Sequence, residues 1–167
     1  MRVGEGYDVH RLVEGRPLML ACVEIPSEFG CLGHSDGDAV SHAVCDAILG
    51  ALALGDMGRH FPSTDRRWEG ASSAEFLAVV AGLAAESGAR LVNLDVTVII
   101  ERPRLAPYIG AMREGLARRL GCSVACVSVK AKTADGLGAV GRGEAVEARA
   151  VALVEISSQA DVEGQGG

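Results

Sequence analysis

Asp8 and His10 stand two residues apart in "GYDVH" (6–10), and His42 closes the stretch "HSDGDAVSH" (34–42). In an extended strand alternate side chains share a face, so Asp8 and His10 project together from the end of one strand. One carboxylate and two imidazoles are the three protein donors of an open tetrahedral zinc site, whose fourth position is left for water or a substrate oxygen. All four histidines of the chain fall in its first sixty residues. His42 lies one turn into the helical stretch after Asp38 and forms with Asp46 an i, i+4 polar stripe, so Asp38 or Asp46 is placed to orient an imidazole from behind. The alternative is plainer: a polar pair at a strand end and a histidine satisfied within its helix, since D-x-H is a common spacing.

A phosphate signal lies beside this one. His34 and Ser35 precede a helix start, where free backbone N–H groups and the helix dipole favour an anion. The alternative is an ordinary cap, with Ser35 or Asp36 capping and Asp38 in the first turn, and that role is compatible with either function. Asp36-Gly37-Asp38 lacks the remaining ligands of an EF-hand, which argues against calcium. Near the other end, "KAKTADGLGAVGRGE" (130–144) carries Gly136, Gly138 and Gly141 in G-x-G-x-x-G spacing. The segment that follows alternates as a strand does, so a tight turn between strands is expected there rather than a dinucleotide fingerprint. Lys130 and Lys132 share a strand face, and Lys132, Thr133 and Asp135 bring a cation, a hydroxyl and a carboxylate to its end. That trio suits a diphosphate with a divalent metal, and a solvated turn is the alternative.

These groups need a scaffold. The chain has 167 residues, 49% of them hydrophobic but only 4% aromatic, with 22 glycines, which predicts one domain over 1–156 with a core of Ala, Val, Leu and Ile. Alternation predicts strands near 2–9, 17–25, 91–100, 124–132 and 145–156. Helical spacing predicts helices over 38–54, 73–88 and 107–121, the first with Val40, Ala43, Val44, Ala47, Ile48 and Leu52 on one stripe. Strands alternating with helices predict an α+β (α/β layered) fold, a mixed sheet covered on one face. The tail 157–167 is too polar to offset its ordering entropy and is expected to be loose.

Net charge is −6, so no global positive field draws the chain to nucleic acid or an anionic membrane. The N-terminus lacks the apolar core of a secretory signal, and no run reaches the roughly eighteen apolar residues of a span, which predicts a cytoplasmic protein. Five cysteines, odd in number and scattered among apolar residues, read as reduced thiols, and Cys122 and Cys126 lack a second pair for a zinc site.

Taken together, "GYDVH", "GHSDGDAVSHAVCDAILGALALGDMGRHFPSTD", "ERPRLAPYI", "VSVKAKTADGLG" and "GRGE" resemble the 2-C-methyl-D-erythritol 2,4-cyclodiphosphate synthase family of the non-mevalonate isoprenoid pathway, over residues 2 to about 156. With no cytidylyltransferase segment ahead of these motifs, the likeness is to the monofunctional form. The resemblance implies a homotrimer with helices on one side of each sheet, the sheets facing the threefold axis, and active sites between neighbours. It implies a phosphorus-oxygen lyase that converts 4-diphosphocytidyl-2-C-methyl-D-erythritol 2-phosphate to the cyclic 2,4-diphosphate and CMP. Asp8, His10 and His42 would hold Zn2+, and Mg2+ or Mn2+ would accompany the diphosphate. His34 and Thr133 would stabilise the phosphates in the transition state, with Ser35 beside them. Asp56, Gly58, Phe61 and Asp65 would line the methylerythritol side. Ile100 to Ala106, with Ala131 to Thr133, would form the neighbour's cytidine pocket: backbone around Arg102, Pro103 and Leu105 would read the base, and Arg104 or Lys132 would meet the diphosphate.

Three positions depart from the family pattern. Asp135 stands where a second-metal Glu is usual, Ser63 where an Asp is common, and Ala139 where an aromatic is frequent. The last bears on an axial cavity for isoprenoid diphosphates in which Arg142 would take part. Two other readings remain beside the synthase: a zinc-dependent phosphodiesterase or pyrophosphatase in which water attacks, and a non-catalytic trimeric module that binds isoprenoid diphosphates.

Overall fold

The structure, a computed structural model, describes residues 1–157. Its central strand is β7 (Ala145–Ile156), in which Val146, Ala148, Ala150, Ala152 and Val154 are buried while the residues between them are not. This period-2 pattern marks a sheet covered on one face only. β7 pairs antiparallel with β1 (Arg2–Glu14) and with β5 (Ala89–Ile99), and β5 pairs parallel with β6 (Val127–Lys132). With β4 (Phe29–Cys31) the order is β4-β1-β7-β5-β6, and β2 (Leu18–Leu20) and β3 (Val23–Ile25) form a separate two-stranded ribbon.

The covering layer begins with α1 (Ala39–Leu52), which rests on β1 and β7. Eleven of its fourteen residues are buried, and the three that are not, His42, Asp46 and Gly50, are spaced by four. They form one narrow polar stripe on an otherwise enclosed helix. α1 lies this close because β1 offers Gly4 and Gly6 beneath it: a Cβ on Gly6 would stand 1.9 Å from the Ala43 carbonyl oxygen, and one on Gly4 2.0 Å from that of Ala47. α3 (Ser73–Glu86) packs on α1, and α4 (Ile109–Leu120) packs on β6. Two single-turn helices complete the layer, α2 (Met57–His60) and α5 (Gly138–Gly141). Buried apolar side chains from β2 to β7 and the long helices form one cluster, against which β1 lays its two buried glycines and the half-buried Leu12.

Several elements differ from the sequence expectation. The strand expected over 17–25 is broken at Ala21 and Cys22, both at positive φ, because the Asp38 carboxylate accepts from both of their N–H groups at 2.9 and 2.7 Å. β1 runs on to Glu14 because β4, which was not expected, pairs with Leu12–Glu14. Residues 124–126 form a 3-10 turn capped by Ser123, so β6 starts only at Val127. Pro107 lies in a 3-10 lead-in, and α4 proper starts at Ile109 and stops at Gly121 in the left-handed region. The expected tight turn at 136–141 contains the α5 turn, in which Gly141 packs so closely on Gly136 that a Cβ would lie 2.1 Å from its carbonyl carbon. Among the described residues no βαβ unit follows those glycines. No helix among the described residues is long and apolar enough to cross a membrane. The expectation of a loose tail falls, apart from Ser157, outside the described residues.

Candidate metal and phosphate site

β1 and α1 bring Asp8, His10 and His42 together, one donor atom from each lying within 4.8 Å of the others. Asp8 Oδ2 is 3.0 Å from His10 Nδ1 and 3.0 Å from His42 Nδ1. Tetrahedral bonds of 2.0–2.1 Å to a zinc ion put neighbouring donors about 3.4 Å apart, so the spacing fits. One further feature fits a cation: His10 Nδ1 is buried and, although near Asp8, makes no hydrogen bond. An orphaned ring nitrogen beside a carboxylate is a lone pair without a donor, free to bind a cation.

The electrostatics agree. Burial raises the Asp8 pKa, but the two imidazoles outweigh it and hold the carboxyl well below its ordinary range. Burial lowers His42, and the hydrogen bond and charge of Asp8, with Asp38 and Asp36 behind it, outweigh that and leave it raised.

Neither acid expected to orient an imidazole bonds to one. Asp38 is the N-cap of α1, and its carboxylate accepts from the N–H groups of Ala21, Cys22 and Ser41 and from the Ser41 hydroxyl. It therefore replaces Ser35 and Asp36 as the cap and takes the Ser41 N–H, one of the helix-start amides at which an anion was expected. Asp46 accepts from the Met57 N–H at 2.8 Å. His42 Nε2 instead meets two hydroxyls, Ser73 Oγ at 3.1 Å and Ser35 Oγ at 3.3 Å.

A pocket of about 170 Å³ opens beside these donors, lined among others by His34, Ser35, Ser63, Phe61, Trp68 and Phe76. Its apolar wall is an aromatic cluster in which Phe61 lies 4.7 Å from Phe76 and 5.1 Å edge-on from Trp68. Trp68, Phe76 and Met57 were missed from the sequence, although a chain with six aromatic Phe, Trp and Tyr residues that gathers three in one place offers a signal once the fold is known. Asp56 and Asp65 cap the flanking turns, accepting from Arg59 and Arg67, and Gly58 sits within α2; none of the three lines the pocket.

A second pocket, of about 180 Å³, lies at the other edge of the sheet. Ile100, Glu101, Pro103, Arg104, Leu105 and Ala106 meet Ala131, Lys132 and Thr133 there, beside a cis Arg102–Pro103 bond. Strand register puts Asp8 level with Ala148, Val98 and Ala131 in one row across β1, β7, β5 and β6. Three strand spacings, about 14 Å, thus separate the donors from Ala131 within one chain. The structure does not bring Lys132 and Thr133 to the histidines. Asp135 is exposed at a φ of 53°, and Arg142 is exposed and paired with Glu144 at 2.8 Å; neither lines either pocket.

The layered mixed sheet with this donor set defines a protein of the YgbB family, whose family model matches residues 1–155. The 2-C-methyl-D-erythritol 2,4-cyclodiphosphate synthase of Dechloromonas aromatica (strain RCB) is 57% identical over 154 residues, 92% of this chain and 96% of its own. A solved 2C-methyl-D-erythritol-2,4-cyclodiphosphate synthase in its CDP-bound form superposes with a TM-score of 0.86 at 42% identity, covering 92% of this chain and 100% of that one. The bifunctional IspDF from Campylobacter jejuni superposes at 0.90 and 37% identity over 94% of this chain and 42% of its own. The chain belongs to the 2-C-methyl-D-erythritol 2,4-cyclodiphosphate synthase family.

Proposed function

We propose that the chain is a cytoplasmic, homotrimeric phosphorus-oxygen lyase that converts 4-diphosphocytidyl-2-C-methyl-D-erythritol 2-phosphate to 2-C-methyl-D-erythritol 2,4-cyclodiphosphate and CMP. The observation that carries the reading is the convergence of Asp8, His10 and His42 on one point, with His10 Nδ1 left unpartnered, in a chain more than half identical to proteins of that name. These three residues hold a divalent cation, and their O,N,N donor set suits zinc. Bound there, zinc would supply Lewis acidity to a phosphate oxygen, and Asp135 would help hold the Mg2+ or Mn2+ that would offset the charge of the substrate diphosphate.

The rest is positioning. The one hydroxyl–imidazole pair in the donor pocket, Ser35 Oγ and His42 Nε2 at 3.3 Å, uses a ring whose other nitrogen faces Asp8, and burial first, then nearby carboxylates, push Cys22 up to about 11 and Cys31 up to about 12, so neither offers a thiolate. The substrate carries its own nucleophile. An oxygen of the 2-phosphate bonds to the β-phosphorus, the bond from that phosphorus to the bridging oxygen breaks, and CMP leaves with the oxygen. His34 and Ser35 steady the attacking phosphate, while the wall of Phe61, Trp68 and Phe76 holds the methylerythritol carbons and keeps out water. Holding the two phosphates in line is where most of the rate arises, since effective molarities for oriented groups reach about 10^5 to 10^8 M.

The trimer supplies the missing half. The uncovered sheet face bears exposed Val3, Tyr7, Val9 and Val151 among charged neighbours such as Glu5, Asp95 and Arg149, a mixed surface that copies of the chain could bury. Packing around a threefold axis there sets the β6-edge pocket of one subunit beside the histidines of the next, so a neighbour's Ile100 to Ala106 loop holds the cytidine and its Lys132 and Thr133 meet the diphosphate.

Phosphorus NMR of the substrate with enzyme, Zn2+ and Mg2+ in 18O-labelled water tests this. Unlabelled cyclic diphosphate plus CMP is the expected result. Label in a phosphate product would make the protein a hydrolase, and binding without turnover would make it a sensor.

A further inference from the structure

We propose that Ser73, backed by Asp36, is a positioning residue for the metal: together they form a hydrogen-bond relay that decides which nitrogen of His42 faces the cation. The proposal rests on the reading that Asp8, His10 and His42 hold a metal.

Among the described residues only Ser35, Asp38, Ser41 and Ser73 are buried polar side chains. Asp38 and Ser41 bond to each other and to the Ala21–Cys22 turn, which accounts for both. Ser73 is 0% exposed and needs a separate reason, because a buried hydroxyl costs stability unless its bonds are made. Capping of α3 is not that reason. The N-cap is Ser72, whose hydroxyl accepts from the Ala74 N–H, and the Ser73 N–H is already met by Asp36 Oδ2 at 2.8 Å.

The Ser73 hydroxyl instead links Asp36 Oδ1 to His42 Nε2, the latter at 3.1 Å. Donor and acceptor roles follow from the ends of the chain of bonds. An ionised carboxylate only accepts, so the hydroxyl proton goes to Asp36. Ser73 Oγ then turns a lone pair to the ring, and His42 Nε2 must carry the hydrogen. Nδ1, which faces Asp8 Oδ2, is left as the metal-binding nitrogen. Ser35 Oγ lies farther from the same nitrogen and lines the pocket, so its hydroxyl is available to a phosphate while Ser73 holds the ring. Partners of this kind typically alter metal affinity by about 10- to 100-fold.

Three single-residue variants and one control test the relay through the zinc Kd, measured by chelator competition, and the visible spectrum of the Co2+-loaded protein. S73A is expected to weaken zinc binding about 10- to 100-fold and to shift the cobalt bands. S73T, which keeps the hydroxyl, is expected to restore the affinity to within about threefold. D36N changes no shape. The shorter bond from the Ser73 N–H, 2.8 Å against 3.2 Å from the Asp38 N–H, keeps the amide oxygen on that side and turns the amide N–H toward Ser73 Oγ, reversing the bond direction and favouring hydrogen on Nδ1, so zinc is expected to weaken at least about tenfold even if S73A does not fold. The control S72A removes the helix cap alone and is expected to lower Tm with the zinc Kd unchanged. Unchanged zinc binding in S73A or D36N would overturn the proposal, as would an equal loss in S72A, which would assign the effect to the docking of α3. Absence of zinc binding by the unaltered protein would overturn the metal reading itself.

Discussion

Asp8 is the residue on which both histidines depend, since one of its oxygens lies 3.0 Å from a nitrogen of each. In the metal-free protein the raised His42 pKa means that the protonated ring is the stabilised form. Its contribution to stability is full below the ordinary histidine value of 6.5 and is lost as pH rises through the higher folded value. A cation must displace that proton, so metal affinity runs the opposite way. The zinc Kd is expected to tighten by about tenfold between pH 6 and 7 while one proton is released, as read by chelator competition in buffers of matched ionic strength. A flat profile would show that His42 enters the site already neutral. The sequence spacing made Asp8 and His10 legible as a pair, because two residues on one strand share a face whatever the fold.

Among the elements, the contact of α1 with β1 matters most to the site. The helix lies directly on two glycines, and this approach sets His42, in its first turn, over the end of β1. G6A would drive a methyl into the Ala43 carbonyl, with no side chain able to yield, and should destabilise the protein by roughly 3 kcal/mol or more while weakening metal binding. Gly82 provides the contrast. It lies inside α3 with nothing within 4 Å of the place an added methyl would take, so G82A should be neutral or stabilise by up to about 1 kcal/mol. Chemical denaturation of the two variants tests the pair, and equal effects would show that α1 rides freely on the sheet. Alternation in β1, β5 and β7 was legible because burial on one face writes period 2 into the chain. The three-residue strands were not, because they owe their pairing to partners elsewhere: β4 to the end of β1, and the β2–β3 ribbon to the Asp38 carboxylate that bends Ala21 and Cys22.

At the scale of the whole molecule, the donor cluster and the second pocket lie along one row of the sheet, and among the described residues one face of that sheet has no cover. Val151 sits on this face in the central strand, level with Glu5 on β1 and Asp95 on β5. In the proposed homotrimer, V151E would set three like charges around the threefold axis and desolvate them. The variant is expected to sediment at one third of the native mass, to keep its zinc, and to lose at least about a hundredfold in activity because the neighbour's pocket is gone. An active monomer would place the complete site within one chain.

The sequence by itself pointed to Asp8, His10 and His42 as candidate donors and to the long strands and helices, because these depend on residue type and short spacing; it misplaced the cap of α1, which is Asp38. It also carried the family likeness. Tertiary structure decided the rest. Ser73 reaches His42 across 31 positions, Asp38 reaches Ala21 across 17, and Trp68 and Phe76 meet Phe61 only when the chain folds back over α1. Local spacing holds no record of such pairings; packing alone selects them, and with them which nitrogen of His42 is turned toward Asp8.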